Sequence, residues 1–182
     1  MPLIRITPDG ARVVEQDWLF ISLEELDDPL PDDCKATVPM EHYLDASMHN
    51  ARHHGLGVRL SPEDDPSRLA PYLDDLRLIE IAFPKYTDGR GFSQAQIPCR
   101  RYGFKGEIRA VGQVLRDEIF KMGRCGFDAF EFTPTSGEPA DVVAAALQDF
   151  TAAYQPGADA RRPIFAHRSG APVSARTTTA AE

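Results

Sequence analysis

From Leu78 to Phe132 the chain alternates between two hydrophobic periods with few residues to spare. Leu78-Ile79-Glu80-Ile81-Ala82-Phe83 is short, apolar and β-branched, and the Thr87-Asp88-Gly89 turn breaks it, which predicts a strand. Ser93 with Gln96 has capping-box spacing and Gly103 is a helix stop, so a helix is expected between them. Glu107 to Val111 repeats the strand signal, Gln113 to Arg124 the helix signal with Gly126 as its stop, and Phe127 to Phe132 is the next strand. Upstream, Leu56 to Leu60 reads as a strand, Ser61 to Pro66 as its loop and Ser67 to Leu76 as its helix. Downstream, Glu138 to Phe150 carries Val142, Val143, Ala146, Leu147 and Phe150 at helical spacing. The expected fold is therefore α/β, with four consecutive βα units forming a parallel sheet. The units have the size of those in an eight-fold barrel and half the number, which fits a half TIM-barrel or an open sheet.

Alternation along the strands sorts their side chains. Ile79, Ile81 and Phe83 share one face with Ile108, Ala110, Phe130 and Phe132, and the helices must cover that face. The opposite face receives Arg59, Glu80, Arg109 and Glu131, one charge per strand. Their signs alternate only if the strands lie in sequential order, which favours the half-barrel over an open sheet in order 2-1-3-4. Buried charges demand partners, so a structural ion network is the preferred reading of this face over a catalytic one. Leu78, Ala82, Val111, Phe127 and Ala129 are assigned to the same face and are too apolar to leave wet. An N-terminal hairpin, the tail or a second subunit must cover them, and a homodimer is the most economical cover.

The rest of the chain is organised around this core. Leu3 to Val14 looks like a hairpin turning at Pro8-Asp9-Gly10, and Trp18 to Ile21 like a short strand, so residues 1–23 form an N-terminal cover. Leu26 to Lys35 is an acidic, Pro-rich loop. Glu41 to His54, preceded by Pro39 and ended by Gly55, is expected to be a helix with His42, Asp45, His49 and His53 on one face. Leu44, Met48 and Ala51 oppose them, which turns the histidines to solvent and disfavours a metal site. One domain over 1–154, with its repeat core over 56–150, is followed by an extended or disordered tail over 155–182, in which Pro163-Ile164-Phe165 has the composition to dock.

Composition narrows the partners. A net charge of -8 and a pI near 5.1 argue against nucleic acid and anionic membranes and make a basic partner electrostatically easier. No apolar run approaches a bilayer span and no signal core opens the chain, so a soluble, cytoplasmic protein is expected. Cys34, Cys99 and Cys125 are widely spaced, without a Cys-x-x-Cys pair, and read as free thiols.

Chemistry concentrates where the second strand ends. The loops Ser61 to Asp65, Lys85 to Gly91, Gly112 to Gln113 and Thr133 to Gly137 should converge at the strand carboxyl ends, the usual ligand edge of such sheets. Lys85, Thr87, Asp88, Gly89, Arg90, Gly91 and Ser93 combine positive charge with backbone N–H groups leading into a helix, which suits sulfite, sulfate, phosphate or a nucleotide phosphate. The glycine spacing is neither a Walker loop nor a dinucleotide fingerprint, so no cofactor is encoded. The competing reading is a plain turn whose glycines permit positive φ and whose Asp88 bonds its own backbone. No Ser/His/Asp or Cys/His constellation is legible, which disfavours acyl-transfer hydrolysis.

Three ordered motifs carry a resemblance: Phe83-Pro84-Lys85-Tyr86-Thr87-Asp88-Gly89-Arg90-Gly91-Phe92-Ser93, then Gly106 to Asp117, then Arg124-Cys125-Gly126-Phe127-Asp128-Ala129-Phe130. Over roughly Trp18 to Tyr154 the chain resembles the bacterial family catalogued as domain of unknown function 934. Pro98 stands where that family has a helix-compatible residue, so a kink is expected after Ser93. The resemblance implies a place beside sulfite reductase in assimilatory sulfur reduction. Two functions are compatible with it: a noncatalytic accessory protein that binds sulfite reductase or its electron donor, and an oxidoreductase holding the phosphate of a flavin or nicotinamide on the Asp88-Gly89-Arg90-Gly91 turn.

Overall fold

The structure is a computed structural model and describes residues 1–22, 35–45, 56–159 and 161–165. Its strands are β1 (Leu3–Thr7), β2 (Gly10–Val14), β3 (Leu19–Phe20), β4 (Ala36–Pro39), β5 (Leu56–Leu60), β6 (Leu78–Phe83), β7 (Glu107–Gly112) and β8 (Ala129–Glu131). They form one sheet in the order β2-β1-β8-β7-β6-β5-β4-β3. The strands β5 to β8 lie side by side in sequential order and parallel, as the alternation of charge required. The sheet is larger and more mixed than four parallel βα units, however. On one side β4 and β3 extend it in parallel; on the other β1 pairs antiparallel with β8, and β2 with β1.

The hairpin is therefore part of the sheet and not a lid over it. Its edge location also forces curvature. β2 and β3 are opposite edges, yet only residues 15–18 connect them. Seven interstrand spacings make an arc of roughly 34 Å, whereas the steps from Val14 to Leu19 reach at most about 18 Å. The sheet must curl until that short linker closes the chord, which gives an open, curled half-barrel. The linker crosses the concave face, where Gln16 Nε2 donates to Glu131 Oε1 at 3.0 Å.

The helices are α1 (Met40–Leu44), α2 (Arg90–Gln96), α3 (Ile119–Cys125) and α4 (Pro139–Ala146). Their face of the sheet is the apolar one. Ile79, Ile81, Ile108, Ala110 and Phe130 are fully buried there, and the Phe83 ring meets Phe92 at 5.8 Å and Phe127 at 5.9 Å. Phe127 thus belongs to the helix-side core, not to the charged face. Of the apolar positions expected to need the hairpin, the tail or a second subunit as cover, Leu78, Val111 and Ala129 are at most 3 % exposed within the chain, whereas Ala82 is half-buried and lines a cleft.

Several local expectations shift. α2 starts at Arg90 rather than Ser93, because Asp88 Oδ1 already accepts the Arg90 N–H at 3.1 Å. Pro98 has no N–H for the helical ladder, and the chain widens into a π-helical turn over Ile97–Arg101, closed when Phe104 N donates to Pro98 O at 2.9 Å. The helix expected over Ser67 to Leu76 is a 3-10 segment, Pro66–Tyr72, containing Pro71. The strand β4 was not expected at all. Met40–Leu44 is the described part of the histidine helix; Asp45 already has extended ψ, so it does not share a helical face with His42. His49 and His53 lie outside the described residues, as does Cys34.

The described part of the tail expected to be extended or disordered lies against the domain. Residues 155–159 and 161–165 are docked: Ala158 N donates to Arg124 O at 2.7 Å, Arg161 donates to Leu147 O and Phe150 O, and Pro163 forms a parallel bridge to Ala153. Residues 166–182, the remainder of that tail, lie outside the described residues.

Candidate functional site

The concave face carries a chain of ion pairs. Glu80, on β6, accepts from Thr37 Oγ1 of β4 at 2.8 Å and from Arg59 Nε of β5 at 2.8 Å, and its other oxygen lies 3.4 Å from Arg109 Nη1 of β7. Arg109 Nε in turn donates to Glu107 Oε1 at 2.9 Å, and Arg5 of β1 pairs with the second oxygen of Glu107. Arg109 Nη2 is equally close to Glu107 but off-axis, and it has no hydrogen-bond partner among the described residues. Arg109 is 0 % exposed and Glu80 1 %, so these charges survive burial only because each holds another.

Strand register explains the geometry. Arg59, Glu80 and Arg109 are direct lateral neighbours on β5, β6 and β7. Ala129 of β8 stands beside both Arg109 and Arg5, and its small side chain leaves room for Arg5 to reach across to Glu107. Of the four charges assigned to this face from sequence, Arg59, Glu80 and Arg109 are joined; Glu131 is not, being turned to Gln16 of the linker. Thr37, Glu107 and Arg5 were missed. Glu107 has the same strand parity as Arg109 and was legible on that ground; Arg5 and Thr37 were not, because their strands' places in the sheet are tertiary facts.

The Gly-rich turn is occupied by its own side chains. Arg90 donates to Asp88 through Nε at 3.0 Å and Nη2 at 2.7 Å, and its Nη1 lies 3.2 Å from Glu63. This pairing holds the Asp88 carboxyl down at about 2 and raises the Arg90 guanidinium. Gly89 and Gly91 both lack positive φ, which corrects that part of the plain-turn reading. Gly91 is required for packing: a Cβ there would stand 2.5 Å from Phe83 Cζ. Lys85 and Thr87 are exposed, and Ser93 is an exposed residue inside α2. Three of the loops, Ser61 to Asp65, Lys85 to Gly91 and Gly112 to Gln113, converge: Arg90 reaches Glu63, and Tyr86 N donates to Gln113 Oε1 at 3.4 Å.

At the carboxyl ends of β4, β5 and β6 a cleft of about 390 Å³ opens between Phe20, Pro39, Arg59 and Ala82. The Arg59 guanidinium lies 3.6 Å from the centroid of the Phe20 ring, a cation–π contact. Glu41, Glu63 and Asp64 stand at the mouth and make it acidic. A second groove, of about 480 Å³, lies on the outer surface between Ser93, Gln96, Ile97, Arg100 and Arg101. Among the described residues no cluster of histidine, cysteine and carboxylate side chains is arranged to hold a metal. Cys99 and Cys125 are buried; burial pushes the Cys125 thiol up, and it accepts a hydrogen bond from Gln96 Nε2 at 3.2 Å, the setting of a packing thiol.

The fold is thus an open, curled α/β half-barrel whose concave face is tied by buried ion pairs and whose strand-end loops are joined by Arg90. The family model described as "Bacterial protein of unknown function (DUF934)" matches residues 57–165, and the chain belongs to that family. The match runs from β5 through the docked segment that ends at Phe165. No curated protein matches the chain. Among the described residues, no helix is long and apolar enough to cross a membrane.

Proposed function

We propose that this chain is a noncatalytic accessory protein of assimilatory sulfite reduction, working in the cytoplasm by binding sulfite reductase or its electron donor. The observation that supports it is the mutual pairing of the concave-face charges: Glu80 is held by Thr37, Arg59 and Arg109, and Glu107 by Arg109 and Arg5. Buried charges demand partners whether or not they do chemistry, and this network is read as one that holds the shape of the sheet. The pathway itself rests on the family resemblance. The alternative, an oxidoreductase with a flavin or nicotinamide phosphate on the turn, has to displace Asp88 from the Arg90 N–H that such a phosphate would use.

The test is purification from cells grown on sulfate, with an absorbance spectrum of the product. A colourless protein that retains sulfite reductase or its donor is expected. A stoichiometric flavin spectrum, or the absence of both partners from the eluate, overturns the reading.

A further inference from the structure

We propose that the groove between α2 and the π-helical turn is a docking face for an acidic segment of a partner protein; this rests on the accessory reading and names the surface through which it acts. Residues 84–105 carry five cations against the single carboxylate of Asp88, in a chain whose net charge is -8. Arg90 is spent on Asp88 and Glu63. Arg100 and Arg101 are different. Both are exposed, both line the groove, and among the described residues neither has a carboxylate within ion-pair distance. Arg100 makes only a long contact, 3.4 Å, to Pro156 O, and Arg101 lies 5.5 Å from the ring of Tyr102, itself 36 % exposed. Asp65, whose carboxylate accepts the Ser67 N–H, is close enough to feel Arg101 without an ion pair between them.

The backbone points the same way. A π-helical turn is uncommon and recurs at functional sites. Here it brings Arg100, Arg101 and Tyr102 to the surface together, the residue types that dominate protein interfaces. Guanidinium forks take carboxylates in bidentate geometry, which makes an Asp- or Glu-rich segment the complementary occupant. A long polyanion such as RNA fits less well, because beyond this patch it meets a strongly acidic molecule.

The experiment titrates a fluorescein-labelled oligoglutamate peptide into the full chain and follows anisotropy at low and high salt. Wild type should bind with an affinity that falls as salt rises, and R100E/R101E should bind at least about tenfold more weakly while keeping the wild-type circular dichroism spectrum. R12E, a change at an exposed position on β2, should bind as wild type. If the double reversal does not fold, carbodiimide cross-linking of the peptide to the wild-type protein substitutes, and the cross-links should fall on Lys85, Lys105 or Lys121 rather than on Lys35. Unchanged binding by folded R100E/R101E, cross-links at Lys35, or tighter binding of an RNA oligonucleotide of equal charge overturns the proposal. Peptide binding that maps to the groove while sulfite reductase and its donor fail to copurify upholds the docking face and overturns only the pathway.

Discussion

Removing the charge of Glu80 is the sharpest probe of the half-barrel. In Glu80→Gln the shape is kept, but the amide presents donors to guanidinium groups that can only donate. The amide keeps one acceptor oxygen, so either Arg109 loses its contact at 3.4 Å or Arg59 and Thr37 lose theirs at 2.8 Å, and in both cases the guanidinium groups lose the negative charge between them. Arg59 has recourse to the Phe20 ring and to water, its side chain being 23 % exposed; Arg109, at 0 %, has neither and keeps only Glu107, which it shares with Arg5. Breaking a buried pair by removing one partner costs about 3 to 5 kcal/mol, and for a chain of this size each kcal/mol moves the melting temperature by roughly 2 to 4 °C. Glu80→Gln is therefore expected to lower the midpoint by roughly 6 to 20 °C. Arg59→Met, which strands no fully buried charge, should cost less than Glu80→Gln does. Urea and thermal unfolding of the three proteins measure this. A Glu80→Gln protein within about 1 kcal/mol of wild type, or one less destabilised than Arg59→Met, refutes the claim that the concave network holds the sheet.

Two further expectations test the turn and a strand end. Gly112 has φ +97 and a Cβ there would lie 2.6 Å from Phe83 O, so Gly112→Ala should cost more than roughly 2 kcal/mol in urea unfolding, whereas Gly89→Ala, with φ -80 and open space around the new Cβ, should stay within about 1 kcal/mol; equal effects would remove the distinction. Asp88 sits at about 2 when folded against an ordinary 3.8, so its contribution is present above pH 4 and is lost as pH falls from 3.8 through 2. The stability gap between wild type and Asp88→Asn should close over that window and shrink with added salt, since the pair is exposed; a gap independent of pH contradicts the Asp88–Arg90 pairing.

Much of the sheet was legible because its signal is local. Alternation over Leu78 to Phe83 and Glu107 to Val111 separates Ile79 and Ile108 from Glu80 and Arg109, and the need to alternate sign orders the strands that carry them. Gly103 and Gly126 stop their helices with positive φ as read. The turn chemistry was legible only in part. Asp88 was recognised as a residue that bonds its own backbone, but the second carboxylate on Arg90 comes from Glu63, in the loop after another strand, and no local pattern announces it.

The sequence by itself thus determined the hairpin and the strands β5 to β8, which face of β6 and β7 is apolar, and that Arg59, Glu80 and Arg109 share the other face, because side-chain direction follows backbone period. Tertiary structure decided where β1 and β4 enter the sheet, and with them the roles of Arg5 and Thr37. It also decided closure. Residues 15–18 are too short to join two edges of a flat eight-stranded sheet, so the sheet curls, the concave face dries, and Leu78, Val111 and Ala129 find their cover within the chain. Strand order and curvature depend on contacts between residues more than a hundred positions apart, such as Arg5 with Glu107, and pairwise geometry at that range is not written in any window of the chain.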